Sequence, residues 1–391
     1  MGTLKFKWNN ELDPFYTVPE DATEYTLHTN KKMMKDSLVI INDGVQSYTI
    51  NYANFTTGER ADSEILLGTA KKMMVDDISG SINNIQVDNF ITFSSSASFS
   101  IGGTNNLWGF SLSTGVQYKT PAREWTTYRP TPSGSNYLWG GTITAAKDSN
   151  TELFSISFRA TGYNNKIVCK SNAGLFPIIT KATNQKIDIS GNLASLIDYQ
   201  LVESGTKPDV AVGAFKFAFY HSNITSAESL VFPDTINDSC YESMFGYCSQ
   251  LTKPPQKLPA KELKQSCYYH MFYNCTSLTT PPQLPATTLA QKCYCQMFYG
   301  CSLLNKLVSL PVRTLETECY SGMFQGCKLI LIADLPEPTV DYPTPYRIPS
   351  SVTGISASGA LTNMFTSTGG PFQGTPLINT TYYTSNEIIT A

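Results

Sequence analysis

The sequence predicts a mixed, mainly β chain that ends in an α/β repeat solenoid. Three observations predict it. One nine-residue pattern recurs four times between Cys240 and Cys327 at near-constant spacing. Stretches upstream alternate apolar and polar residues, as half-buried strands do. Only 15% of the residues are charged, and Ser, Thr, Asn and Gly stand in their place, a balance that suits β-rich surface proteins. The reading divides the chain into residues 1–95, a β-rich docking region; 96–190, a β-sandwich; and 191–391, the solenoid with a C-terminal cap.

In the first part, residues 38–52 read as two strands around an Asn-Asp-Gly turn ending at Gly44. Lys31, Lys32, Met33 and Met34 recur as Lys71, Lys72, Met73 and Met74. The repeat is read either as a duplicated docking element or as core methionines. Ser94 to Ser98, all small residues, read as a linker.

In the second part Phe99 and Ile101 alternate with polar residues, as do Phe154, Ile156 and Phe158. The strand spacing predicts an Ig-like or related β-sandwich. Residues 187–197 then read as the entry to the repeats, with apolar side chains that cover the first turn.

The third part carries the strongest signal. Cys240, Cys267, Cys293 and Cys319 lead the copies, at steps of 27, 26 and 26 residues. A fixed period in the twenties indicates a stack with one small unit per turn. Each copy repeats Cys, Met, Phe and Cys at i, i+4, i+5 and i+8: Cys240, Met244, Phe245, Cys248; Cys267, Met271, Phe272, Cys275; Cys293, Met297, Phe298, Cys301; Cys319, Met323, Phe324, Cys327. That spacing predicts one buried face of a short helix. Leu251, Leu278, Leu304 and Ile330 mark the extended segment that follows. The Leu-Pro pairs at Leu258, Leu284 and Leu310 mark corners, because proline cannot donate to a ladder. Phe219 and Phe365 head weaker flanking copies.

Nine of the ten cysteines lie in these repeats. Cysteines eight apart on a helix would stand about 12 Å apart, too far for a disulfide. They are expected to form a ladder of reduced, buried thiols. Tyr241, Tyr268, Tyr294 and Tyr320 follow the leading cysteines and should stack in a column. One reading packs their stems between turns; the other presents them as an aromatic strip to a partner or glycan. Cys267 and His270, at i and i+3, offer soft ligands to a transition metal at a subunit interface. Neighbouring copies place Ser243, Gln296 and Gly322 where His270 stands, which favours a plain surface histidine.

The pattern Cys-Tyr-x-x-Met-Phe-x-x-Cys-x-x-Leu, followed by Leu-Pro-Ala-x-x-Leu, is clearest from Cys267 to Leu289 and resembles the BspA-like leucine-rich repeat. Val116 to Tyr118 and Trp125 to Tyr128 are similar to a β-domain that precedes this repeat in phage and Bacteroidales proteins. The resemblance implies a structural virion protein of a tailed, crAss-like phage: a head-fibre, capsid-decoration or tail-fibre component that displays the solenoid. It also implies a homo-oligomer, dimer before trimer, in contact with other virion proteins such as capsid proteins, and a possible host surface glycan. The alternative is a bacterial BspA-like surface adhesin, which would require export.

Other classes are disfavoured by composition. A formal charge of −3 without clustered Lys or Arg argues against nucleic acid. No run approaches the 18 apolar residues of a membrane span. No apolar signal-peptide core follows Met1, so synthesis in a host cytoplasm and assembly into a virion are expected. Three histidines, His28, His221 and His270, form no triad or zinc motif. Glu316 with Glu318, and Asp76 with Asp77, are carboxylate pairs on which nothing converges. No enzyme and no cofactor are expected.

Overall fold

The structure, a computed structural model, describes residues 207–390 and most of 90–103, 116–128, 141–160 and 184–204, with shorter strands elsewhere. The methionine repeat at residues 31–34 and 71–74, Asp76, Asp77 and Cys169 lie outside the described residues. Strand takes 29% of the chain and helix only 4%. The mainly β expectation holds, and the share of helix is too small to supply one helix per repeat.

Two compact units divide at Val87 and Asp88. In the first, Lys5–Trp8, Tyr16–Thr17, Leu38–Asn42 and Ser47–Asn51 form an antiparallel sheet. Leu38 pairs with Asn51 and Asn42 with Ser47, the hairpin read around Gly44.

The second unit begins with a seven-stranded sheet. Its order is Arg123–Tyr128, Val116–Thr120, Phe154–Ala160, Ile91–Ser95, Ile187–Asn192 and Ile224–Val231, with Ala146–Lys147 beside Phe154–Ala160. A three-stranded sheet of Gly141–Thr144, Phe99–Gly103 and Ile178–Thr180 shares its core through Phe93, Phe99, Ile101, Ile143 and Phe158. The expected boundaries move for a physical reason. Ser94 and Ser95 are ladder residues, paired with Ser155 and Phe154, not a linker. The 190/191 boundary cuts Ile187–Asn192, which bonds Ile91–Ser95 on one side and Ile224–Val231 on the other. The seven-stranded sheet therefore runs without a break into the strand that opens the repeats.

The repeats themselves correct the helical reading. Within 239–248 the N–H groups alternate between two destinations. Those of Cys240, Glu242, Met244, Gly246 and Cys248 donate three residues back, to Asn237, Ser239, Tyr241, Ser243 and Phe245. Those of Ser239, Tyr241, Ser243, Phe245 and Tyr247 donate to carbonyls of the next copy: Gln265, Cys267, Tyr269, Met271 and Tyr273, at 2.7–2.9 Å. An α-helix keeps its bonds inside itself; here half of them tie neighbouring copies together. Every fourth residue is left-handed, with φ of 52°, 53° and 60° at Ser239, Ser243 and Tyr247. Each copy is thus a run of overlapping turns, type II-like in having positive φ at the third position.

The same pattern recurs at 213–222, 266–275, 292–301, 318–327 and 359–368. We call each copy a tier. A four-residue period puts two neighbours inside and two outside, so Cys-Tyr and Met-Phe both face the core. The sixteen repeat residues Cys240, Met244, Phe245, Cys248 and their equivalents are all 0% exposed. Phe219, Phe245, Phe272, Phe298, Phe324 and Phe365 stack at 5.3–5.9 Å. Phe219 meets Phe93 and Phe176 of the core beneath the seven-stranded sheet, each at 6.0 Å. Phe365 ends on Phe372 and Tyr346.

The last step, from Phe324 to Phe365, is 41 residues. The added chain supplies Ile332–Ala333 and Thr344–Arg347, which flank Thr381–Thr384 in an antiparallel sheet. Phe365 donates its N–H to Gly374 and Asn363 donates its own to Thr375 Oγ1, so the terminal tier is capped by the tail.

Candidate binding surface

The four-residue period decides which tyrosines meet solvent. Tyr241, Tyr268, Tyr294 and Tyr320 sit beside the leading cysteines on the inward pair of positions. They stack at 5.6, 5.7 and 5.9 Å, within 9° of parallel. Their exposure is 0–1%. The column exists, but it packs between tiers, and the reading of it as a strip for a partner or glycan is corrected: no ligand reaches it. Burial pushes all four phenols well up from their ordinary range. The hydroxyls of Tyr241, Tyr268 and Tyr294 have no protein partner among the described residues.

A different set of rings occupies the outward pair. Tyr220 meets Phe217 at 5.2 Å and His221 at 4.7 Å, both edge to face. His221 stacks on Tyr247 at 4.6 Å, and Tyr247 meets Tyr273 at 5.4 Å. Tyr273 and Tyr299 are parallel within 1° at 4.6 Å. Tyr269 and His270 join from the side, 3.7 Å apart, with His270 4.6 Å from Tyr273. These eight rings form one connected strip across four tiers. His221 is exposed and the other seven are half-buried.

The strip itself contains no lysine, arginine, aspartate or glutamate. Partial burial lowers the His270 pKa, opposed by a hydrogen bond between its Nε2 and Gln296 Oε1. Burial first, then the neighbouring Tyr247 and Tyr299 phenols, push Tyr273 up to about 12. At the rims Lys216 pairs with Glu242 at 2.7 Å and Lys292 with Glu318 at 3.4 Å. The Lys216 ammonium also lies 5.3 Å from the Phe217 ring. A dehydratable aromatic surface with its rim charges already matched suits contact with another macromolecule.

The suggested metal pair is not assembled. Cys267 is 0% exposed in the core, while His270 lies outward between phenols and bonded to an amide. Among the described residues no three His, Cys, Asp or Glu side chains come together as a metal site. Glu318 is taken up by Lys292. Cys295, 6% exposed, stands outside the thiol ladder at an outward position covered by its neighbours. A small cleft in the cap is lined by Ser309, Tyr346, Arg347, Ser350 and Thr381. Arg347 is committed to the carbonyls of Pro349, Val352 and Asn379.

Sequence reasoning missed the outward strip because a helical period gives Tyr220, Tyr247, Tyr273 and Tyr299 no common face. Their spacing of 27, 26 and 26 residues was the available signal. No described helix is long and apolar enough to cross a membrane. In comparisons with known proteins the chain matches no family model, no curated protein and no solved structure.

Proposed function

We propose that the chain is a non-catalytic structural protein of a tailed-phage particle, a head-fibre, decoration or tail-fibre component. In this reading an Ig-like sandwich leads into a BspA-like leucine-rich-repeat solenoid, and the solenoid displays a contact surface. The observation that carries it is the eight-ring outward strip, held on tiers whose backbones bond one another directly. Such a scaffold presents side chains at fixed spacing with little loss of conformational entropy on contact. The repeat resemblance supplies the setting, the virion, and the neighbours, capsid proteins and host-surface polymers.

Mass spectrometry of purified particles tests the setting. Recovery of the protein at fixed stoichiometry with capsid protein is expected. Its absence from particles, with recovery from a bacterial envelope fraction, would replace this reading by that of a bacterial BspA-like surface adhesin.

A further inference from the structure

We propose that Arg159 anchors a carboxylate-binding site, shaped for a sugar acid, on the face of the seven-stranded sheet opposite Phe93 and Phe158. The site shares no residue with the outward ring strip.

Arg159 follows the buried Phe158 on the strand Phe154–Ala160, so its side chain stands on the other face. There its guanidinium lies between two rings, 4.1 Å from the centroid of Trp125 and 3.9 Å from that of Tyr199. Trp125 is braced edge to face by Phe90 at 5.0 Å. The Arg159 Nε–H donates to Gln117 Oε1 at 2.9 Å. Two rings and one hydrogen bond thus fix the plane and direction of the group before any ligand arrives.

The donors left over point to the ligand. Neither terminal nitrogen of Arg159 has an acceptor among the described residues. Arg347 in the cap shows the purely structural alternative: its Nε and both terminal nitrogens bond the carbonyls of Pro349, Val352 and Asn379 and the Asn379 side chain. Asp198, the carboxylate next to Tyr199 in the chain, is buried and spent on the N–H groups of Gln200 and Leu201. A flat guanidinium held on both faces, with its outer edge unspent, matches the two oxygens of a carboxylate.

Two uncharged side chains continue the row. Gln117 pairs across the ladders with Arg159 on one side and Thr127 on the other, and such neighbours share a face about 5 Å apart. Gln117 Nε2 and the exposed Thr127 hydroxyl have no partner among the described residues. The backbone of Val116–Thr120 is taken up by ladders on both sides. A peptide laid on this face would leave its own N–H and C=O groups unpaired. A sugar acid carries its carboxylate beside hydroxyls that an amide and a hydroxyl can bond, and this selects it.

The experiment is a saturation-transfer NMR titration of the full chain with sodium glucuronate, set against glucose and sodium acetate. Glucuronate is expected to bind more tightly than acetate, and glucose not to bind. Arg159→Lys keeps the charge and loses the fork, and should weaken glucuronate about ten-fold or more. Gln117→Glu keeps the ring sandwich and sets a rival carboxylate against Arg159. It should weaken glucuronate about ten-fold or more while the melting temperature is unchanged or higher. A wild-type chain that does not bind glucuronate, or binds glucose equally well, overturns the proposal. So does glucuronate binding that Gln117→Glu leaves unchanged, or tighter binding of inorganic phosphate or of acetyl-Gly-Glu-Gly-amide than of glucuronate.

Discussion

Cys275 donates its S–H to the carbonyl of Phe245 in the tier before it, at 3.0 Å. The bond repeats from Cys248 to Phe219, Cys301 to Phe272 and Cys327 to Phe298, at 2.9–3.1 Å. Each of these carbonyls already accepts the N–H three residues on in its own tier. The second cysteine of each repeat is thus a small apolar side chain whose one donor fills the remaining lone pair. In the first tier Ser222 holds the equivalent place, and its hydroxyl meets the Cys248 thiol at 3.4 Å.

Cys275→Ala should cost about 1–2 kcal/mol, from the small cavity and the lost bond. Cys275→Ser keeps a donor and should cost less than Ala. Urea denaturation of the two variants checks the order. If serine proves the more damaging, the thiol acts by apolar volume alone.

Alkali should unfold the protein through these groups. Burial pushes Cys240, Cys248 and Cys319 up to about 12. An unfolded thiol ionises near pH ~8.5. Between those values the unfolded chain binds fewer protons than the folded one, so stability falls as pH rises. The loss is about 1.4 kcal/mol per thiol per pH unit. The stability contribution is whole below pH ~8.5 and lost towards pH ~12. Denaturation midpoints should be flat near neutrality and drop steeply above pH ~9, with the slope reduced by about one proton in Cys248→Ala. A midpoint that stays level to pH ~11 would contradict the buried-thiol ladder.

The period and the core were legible in the sequence; the local conformation was not. Phe245 and Phe272 repeat with their cysteines, and every copy of that set is buried as read. Positions i, i+4, i+5 and i+8 suit both a 3.6-residue and a 4.0-residue coil, since over eight residues a helix drifts by only about 80°. The deciding marks were the residues between. Asn274, Gly300, Gly322 and Gly326, which adopt positive φ readily, stand at the every-fourth positions of their tiers that Ser239 and Ser243 occupy in theirs. Weighting them would have turned Tyr241 inward and Tyr273 outward. The misplaced boundary at Ser95 has another cause: a strand edge rich in serine has the composition of a linker, and only its long-range pairing to Phe154 distinguishes the two.

Asn386 pins the tail to two tiers. Its Nδ2 donates to the carbonyls of Asn305 and Leu329 at 2.8 and 2.9 Å, and its Oδ1 accepts from the Leu331 N–H at 2.7 Å and from the Thr384 hydroxyl at 3.1 Å. The side chain is 8% exposed, so water cannot replace these bonds. Asn386→Asp removes two donors and sets a carboxylate against two carbonyls, at a cost of about 3 kcal/mol. Part of that loss should return at acid pH, where a protonated carboxyl again supplies one donor. Thermal melts at two pH values check it, and a variant as stable as wild type at neutral pH would show that the pin is dispensable.

Phe272 lies between Phe245 and Phe298, 5.6 and 5.7 Å away and within 7° of parallel. It is fully buried, and its N–H bonds the Met297 carbonyl at 2.9 Å. Phe272→Ala should therefore cost about 3–5 kcal/mol, the usual range for deleting a core ring. The distribution of the loss is the sharper test. Tiers touch only their neighbours, so the hole weakens the joints on either side first. In hydrogen exchange the amides of Phe245 and Phe272, which bridge those joints, should lose most protection. The amide of Phe365, bonded to Gly374 at 2.9 Å in the capped last tier, should lose least. Equal loss at all three would mean that residues 88–391 open as one cooperative body, and that the shared column of rings, rather than each joint, sets the stability of the stack.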